Sequence, residues 1–161
     1  MTDQPFTHLN SAGEARMVDV TGKTPTVREA TAVGFVRCSE LVVATLRSGT
    51  APKGDVLAVA RIAGIQGAKR TAELLPLAHV IGVHGAAVDL TVQDDGVLVS
   101  ASIRTADRTG VEMEAMTAVS VAALAIVDMV KGIDKTVQIE NVRLMSKSGG
   151  RSGDWRRPPG V

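Results

Sequence analysis

The sequence has no tyrosine, one tryptophan and two phenylalanines in 161 residues. A core must therefore be built from Val, Ala, Leu, Ile and Met, and a module that stacks RNA bases on aromatic rings is disfavoured. There is one cysteine, Cys38, which excludes an intrachain disulfide framework and suits a reducing compartment. Neither sign of charge dominates: 18 basic against 17 acidic residues leave a net charge of +1. That balance argues against a bulk nucleic-acid or membrane-surface binder. No apolar stretch follows a basic start, as a secretory signal requires. The longest apolar run, residues 119–127, is interrupted by Ser120 and falls short of the ~20 residues that span a bilayer. These absences predict a cytoplasmic protein. His8, His79 and His84 match no zinc spacing and no second cysteine exists, so no metal site is predicted.

What is present suits one domain. Residues 1–15 read as a flexible N-terminal arm, 16–147 as a single catalytic α+β domain, and 148–161 as a flexible Gly/Ser/Arg-rich tail. Within the domain, residues 16–20 alternate as a short strand, Gly22, Lys23, Thr24 and Pro25 form a turn, and residues 26–37, with Val27, Val33, Phe35 and Val36, read as a longer strand. Ser39 caps a short helix reaching Arg47. Residues 55–75 repeat apolar positions at helical spacing. Asp55 is its cap, Pro76 its stop, and Gly64 and Gly67 mark close packing. Residues 80–92 and 97–103 form a hairpin about Asp94–Asp95–Gly96. A long helix runs over residues 110–131 and is closed by Gly132. Residues 137–145 form the last strand. This order predicts an α+β sandwich, its helices on one face of a largely antiparallel sheet.

The long helix is apolar on nearly every side, which predicts burial on most of them. Its charges lie at its ends. Glu112 and Glu114 stand in the first turn, Asp128 and Lys131 near the last. At 100° per residue Glu114, Thr117, Val121, Leu124 and Asp128 share one stripe. Asp128 and Lys131, three apart, can pair; the plain reading is a helix-end ion pair that suits the macrodipole. Among the basic residues, Lys147 and Arg151 flank Gly149 and Gly150, and this segment could wrap an anion with backbone N–H groups; a solvated tail is the plain alternative. The run from Gly64 to Thr71 has the wrong spacing for a phosphate-binding P-loop.

Six short motifs occur in order: Lys53–Gly54–Asp55–Val56; Ala60–Arg61–Ile62–Ala63–Gly64–Ile65–Gln66; Ala68–Lys69–Arg70–Thr71; Thr109–Gly110–Val111–Glu112–Met113–Glu114–Ala115; Asp128–Met129–Val130–Lys131; and Lys147–Ser148–Gly149–Gly150. With Arg16–Met17–Val18–Asp19–Val20 and Val27–Arg28–Glu29–Ala30, they cover nearly the whole chain. Together they closely resemble the cyclic pyranopterin monophosphate synthase family, the molybdenum cofactor biosynthesis protein C family. The resemblance implies a ferredoxin-like fold and a homo-oligomer, with the dimer as catalytic unit and a hexamer as the assembly. It implies a phosphorus–oxygen lyase that turns (8S)-3′,8-cyclo-7,8-dihydroguanosine 5′-triphosphate into cyclic pyranopterin monophosphate and pyrophosphate. Carried over by position, Asp128 and Lys131 match the catalytic pair. Lys53, Leu77, Ala78, His79, Glu112, Met113, Glu114, Lys147 and Arg28 match substrate-binding positions. No cofactor is implied beyond Mg²⁺ riding on the substrate triphosphate. One motif departs: the family usually has Leu-Cys-His-Pro where this chain has Leu77–Ala78–His79–Val80.

These residue types suit the implied chemistry. Rebuilding a cyclised purine as a pterin moves protons on and off ring nitrogens, which a carboxylate beside a lysine can do. Burial at a helix end is expected to hold the two pKa values apart. Expelling pyrophosphate requires cations on the triphosphate, for which Lys53 and Lys147 are candidates. Because 1.5 Å per residue sets Glu114 and Asp128 about 21 Å apart, one compact site needs the helix start of one subunit and the helix end of another. A catalytically weak paralogue, or a nucleotide-binding assembly partner of the same fold, is the alternative that the departure at Ala78 and Val80 permits.

Overall fold

The structure is a computed structural model that describes residues 8–10 and 12–160. Residues 1–7 and 11 of the expected arm, and Val161 of the expected tail, lie outside the described residues. The elements run β1 (Thr26–Arg37), α1 (Glu40–Ser48), α2 (Val56–Lys69), α3 (Thr71–Leu74), β2 (Gly85–Gln93), β3 (Gly96–Asp107), α4 (Glu112–Val130), β4 (Gln138–Ser148) and β5 (Trp155–Arg156). Five antiparallel strands are ordered β2-β3-β1-β4-β5. The first four follow the ferredoxin-like order, and the expected α+β class holds.

Register explains how the sheet makes one dry face. Ala30, Ala32, Gly34 and Val36 of β1 lie opposite Ile103, Ala101, Val99 and Val97 of β3. Alternation sends all of these to one side, and all the named Ala, Val and Ile side chains there are fully buried. The long helix α4 lies on that face, packed on β1, β3 and β4, and α2 packs along α4. Ala115, Ala118, Val119, Ala122, Ala123 and Ile126 are all fully buried, so the apolar wrap of α4 is satisfied from several sides. By length and composition α4 could cross a membrane; here it is the core helix of the domain.

Three glycines let the layers close. A Cβ on Gly34 of β1 would stand 2.7 Å from Val119 Cγ1. On the other flank, Cβ atoms on Gly64 and Gly67 of α2 would stand 2.9 Å from the Ala118 carbonyl oxygen and from Val121 Cβ. The close packing expected at Gly64 and Gly67 is thus the contact between α2 and α4.

Local signals mostly meet their expected roles. Asp55 caps α2 by accepting from the Ala58 amide at 2.9 Å. Ser39 occupies the cap position of α1, but its side chain makes no cap bond. Four expectations change. Residues 16–20 form no strand; they run along the hollow described below. The predicted helix over 55–75 breaks at Arg70, whose φ of −109° and ψ of 12° are not helical. Strand β2 begins at Gly85 rather than residue 80, leaving Val80 91% exposed. Gly132 does not close α4 by a left-handed turn. Lys131 caps it in right-handed geometry, and the Ile133 and Asp134 amides both donate to the Val130 carbonyl. The segment after Ser148 also carries a strand its composition did not signal: Trp155 and Arg156 pair with Lys147 and Ser146 of β4.

Gly64→Val should lower folding stability by about 2–3 kcal/mol, because the new side chain meets a backbone carbonyl of α4 rather than a mobile side chain. Urea unfolding measures this; an unchanged midpoint would mean that the two helices do not need their close approach.

Candidate functional site

Two groups of polar residues stand at opposite ends of α4. At its start lies a hollow of about 1010 Å³. Its walls come from segments far apart in sequence: Val18, Val20 and Lys23 before β1; Leu75 to His79 after α3; Thr109, Gly110 and Glu112 to Glu114 at the entry to α4; and Arg151 after β4. Leu77, Ala78, His79, Glu112, Met113 and Glu114 are thereby brought together as expected. Lys147 reaches the same end of the helix, its Nζ 3.3 Å from Glu112 Oε1 and 2.8 Å from Ser152 Oγ.

The two glutamates differ sharply. Glu112 is partly exposed and paired with Lys147. Glu114 is 4% exposed. Burial pushes its carboxyl up to about 7, and the Glu112 charge adds to this, while backbone hydrogen bonding and His79 oppose it. Near neutral pH Glu114 can hold or release a proton, whereas an ordinary glutamate is fully ionised. His79 faces the hollow with its orientation fixed: Nε2 lies 2.6 Å from the Val18 carbonyl oxygen. A carbonyl only accepts, so Nε2 carries the proton and Nδ1 is left for another partner.

At the other end, Asp128 lies between two ammonium groups. Lys131 Nζ is 2.7 Å from Oδ1, and Lys53 Nζ is 3.3 Å from Oδ2 and donates to the Asp128 carbonyl at 2.7 Å. Lys53 thus ties the turn before α2 to the last turn of α4, where free carbonyls favour a cation. The expected pairing of Asp128 with Lys131 is present. The expected cause of its tuning is not: Asp128 and Lys131 are each 58% exposed. Hydrogen bonding from Lys131, then from Lys53, holds the Asp128 carboxyl below its usual range.

Arg28, also expected near the substrate, is absent from the hollow's walls; its guanidinium binds the carbonyls of Asp107 and Arg108. Lys23, in sequence only part of a turn, lines the hollow, as does Arg151. The partnership of His79 with Val18 had no sequence signal, since any residue supplies a backbone carbonyl. Among the described residues no three His, Cys, Asp or Glu side chains converge as a metal site would require.

Residues 17–150 match the MoaC family, which is most of the chain. The chain belongs to the MoaC family. It is 59% identical to the cyclic pyranopterin monophosphate synthase of Streptomyces coelicolor, over 94% of this chain and 89% of that protein. Identity to the synthase of the same name from a Nocardioides species is 55%, over 98% and 100%. For that of Chloroflexus aurantiacus it is 54%, over 95% of each. The resemblance carried by the six motifs therefore holds. The departure within Leu77–Ala78–His79–Val80 falls on two unlike positions: Ala78 lines the hollow, whereas Val80 projects into solvent.

Glu114 gives a pH-dependent signature. Its carboxyl sits near 7 in the folded chain against 4.5 as the ordinary value, so the folded state holds the proton longer. Its contribution to stability is greatest below pH 4.5, declines as pH rises through that window, and levels off above 7. The full difference corresponds to about 3 kcal/mol. Glu114→Gln should match the parent below pH 4.5 and be more stable by up to that amount at pH 8, read by denaturant unfolding across pH. A difference independent of pH would contradict the assignment.

Proposed function

We propose that this chain converts (8S)-3′,8-cyclo-7,8-dihydroguanosine 5′-triphosphate to cyclic pyranopterin monophosphate and pyrophosphate, as a cytoplasmic enzyme of molybdenum cofactor biosynthesis. The observation that carries this reading is Asp128 held between Lys53 and Lys131, in a chain with such high identity to synthases of that name. A carboxylate kept ionised by two ammonium groups is an orienting charge and a ready though weak proton acceptor, and the adjacent Lys131 is a donor. Placed against the substrate's ring nitrogens, the pair takes a proton at one atom and returns one at another while the purine opens and the pterin closes.

The hollow at the start of α4 supports substrate binding. Glu112, Met113, Glu114, Leu77, Ala78 and His79 face one space. Glu114 can present a neutral or an ionised carboxyl there, and Lys147 brings positive charge to the rim. Closing the cyclic phosphate needs a sugar hydroxyl to attack the α-phosphorus. The P–O bond to the β-phosphate breaks and pyrophosphate leaves with the electron pair. Lysines along its path stabilise that charge, and any Mg²⁺ would arrive on the triphosphate.

Glu114 and Asp128 are fourteen residues apart on one helix, about 21 Å at 1.5 Å per residue. A purine mononucleotide, shorter than that span, cannot touch both from one chain. We therefore assign the active unit to a homodimer within a larger homo-oligomer, the hexamer that the family resemblance implies, in which each site joins one copy's hollow to its partner's Lys53–Asp128–Lys131 cluster.

Two experiments test this. Asp128→Asn and Lys131→Ala should each cut kcat by roughly 100-fold or more, as loss of a proton-transfer group does, with pterin formation read by fluorescence after oxidation. Near-parental turnover in either removes the acid–base assignment, and substrate binding without turnover in the parent would favour the weak-paralogue reading. Mixing inactive Glu114→Ala and Asp128→Asn chains, after dissociation and reassociation, should restore about a quarter of parental activity. Half the dimers are then mixed, and each mixed dimer has one intact site out of two. No recovery would place the whole site within one chain.

A further inference from the structure

We infer that Arg28 is a positioning residue: its guanidinium clamps together the two loops that deliver Glu112 and Lys147 to the hollow, and it does not bind the substrate itself. The inference rests on the proposed reading of that hollow.

Arg28 lies near the start of β1, where β3 ends on one side and β4 on the other. Its neighbour across the first pairing is Thr105, and Glu29, the next residue, lies opposite Ser148. Arg28 Nε donates to the Asp107 carbonyl at 2.9 Å and Nη2 to the Arg108 carbonyl at 3.2 Å. Two successive carbonyls are thus held by one planar fork, a geometry that a lysine cannot reproduce. These carbonyls begin the turn that leads into Glu112.

The other side of the guanidinium is covered by Gly150. A methyl group there would collide with Arg28 Nη1, and one on Gly149 would collide with the Val27 carbonyl. Both glycines have positive φ, 81° and 75°. The chain leaving β4 can therefore fold over Arg28 only where side chains are missing. This same turn carries Lys147 and Ser152, which bond each other at 2.8 Å, and it is closed by the Gly149 amide on Asp154 Oδ1 at 3.1 Å.

The 107–108 turn also gathers the remaining walls. Arg108 Nε donates to the Lys23 carbonyl at 3.0 Å, and the Gly82 amide lies 3.4 Å from Asp107 Oδ2. Segments 18–23, 79–84, 107–112 and 147–154 thus meet at one junction, and Arg28 is the side chain lying between the last two. Two of its five N–H donors are held by carbonyls, Gly150 covers Nη1, and Arg28 lines no part of the hollow.

Hydrogen-exchange mass spectrometry on the full-length parent, Arg28→Ala, Arg28→Lys and Gly150→Ala tests the clamp without reference to activity. All three variants should exchange faster in both 107–112 and 147–154 and normally in α1 and β2. Normal exchange in either loop of Arg28→Ala, or parental exchange in Arg28→Lys, overturns the clamp; so does acceleration spread over α1 and β2, which would make Arg28 a general stability residue. Turnover adds a second readout. Arg28→Lys and Arg28→Ala should lose kcat alike, by roughly 10- to 100-fold, as misplacement of site groups does. Both should weaken binding of GTP and of guanosine by the same factor. A loss confined to GTP would put Arg28 on the phosphates and overturn the inference. If the parent itself forms no pterin, the proposed function fails while the exchange data still decide the clamp.

Discussion

The structure depends on how closely α4 is gripped. Gly34 beneath it and Gly64 and Gly67 beside it leave no room for even one added methyl group. Between them Ala115, Ala118, Ala122 and Ala123 present little more than backbone. Small residues on facing surfaces bring the layers near enough for dispersion contacts to accumulate along the whole helix, in a chain with almost no aromatic side chains to fill a wider gap. A helix held this way acts as a rigid spacer. The charged groups at its two ends keep fixed places because the apolar middle cannot slide or tilt.

That rigidity makes the contrast between the ends meaningful. Glu114 begins the buried stripe, and water is excluded from its carboxyl, so it takes up a proton near neutral pH. Asp128 lies on the same stripe fourteen residues later, yet it emerges into solvent between two lysines and stays ionised. Two carboxylates on one helix face are thus driven in opposite directions. Desolvation governs one and ion pairing the other. Proton chemistry gains from such a separation, since one group can hold a proton under conditions where the other cannot.

Much of this was legible in the sequence, for reasons specific to each element. Strand β1 was readable to its ends because its β-branched and apolar residues are bounded by a turn at Pro25 and the cap residue Ser39. The length of α4 and its burial followed from an apolar pattern with no polar face. Gly64 and Gly67 signalled a helix contact because a glycine inside a helix is costly unless space demands it. What escaped was set by distant partners. Residues 16–20 alternate like a strand, but they pair with no strand of the sheet, and Val18 and Val20 line the hollow instead. The β5 pairing is two residues long, and its flanking composition resembles a solvated tail. Arg28 carried a family position but no hint that two of its donors hold the Asp107 and Arg108 carbonyls, because backbone carbonyls leave no trace in side-chain identity. Lys23 reads in sequence as one more turn residue, and only the fold brings it to the hollow that Glu112 also lines.

The spacing between the ends of α4 limits how a site can be assembled. A helix fixes the distance between residues 114 and 128 more firmly than any loop could, so no local rearrangement brings Glu114 to Asp128 of the same chain. On the proposed reading, both groups meet one substrate only when two copies associate. The exposure of Asp128, Lys131 and Lys53 in the single chain is then the exposure of an unfinished site. The partner's hollow would remove water from around the three charges, strengthening each interaction among them. Association would complete the geometry and also change the electrostatics of the catalytic pair. An isolated copy would be left with a carboxylate that is well paired but too well hydrated to exchange protons effectively with a bound ring.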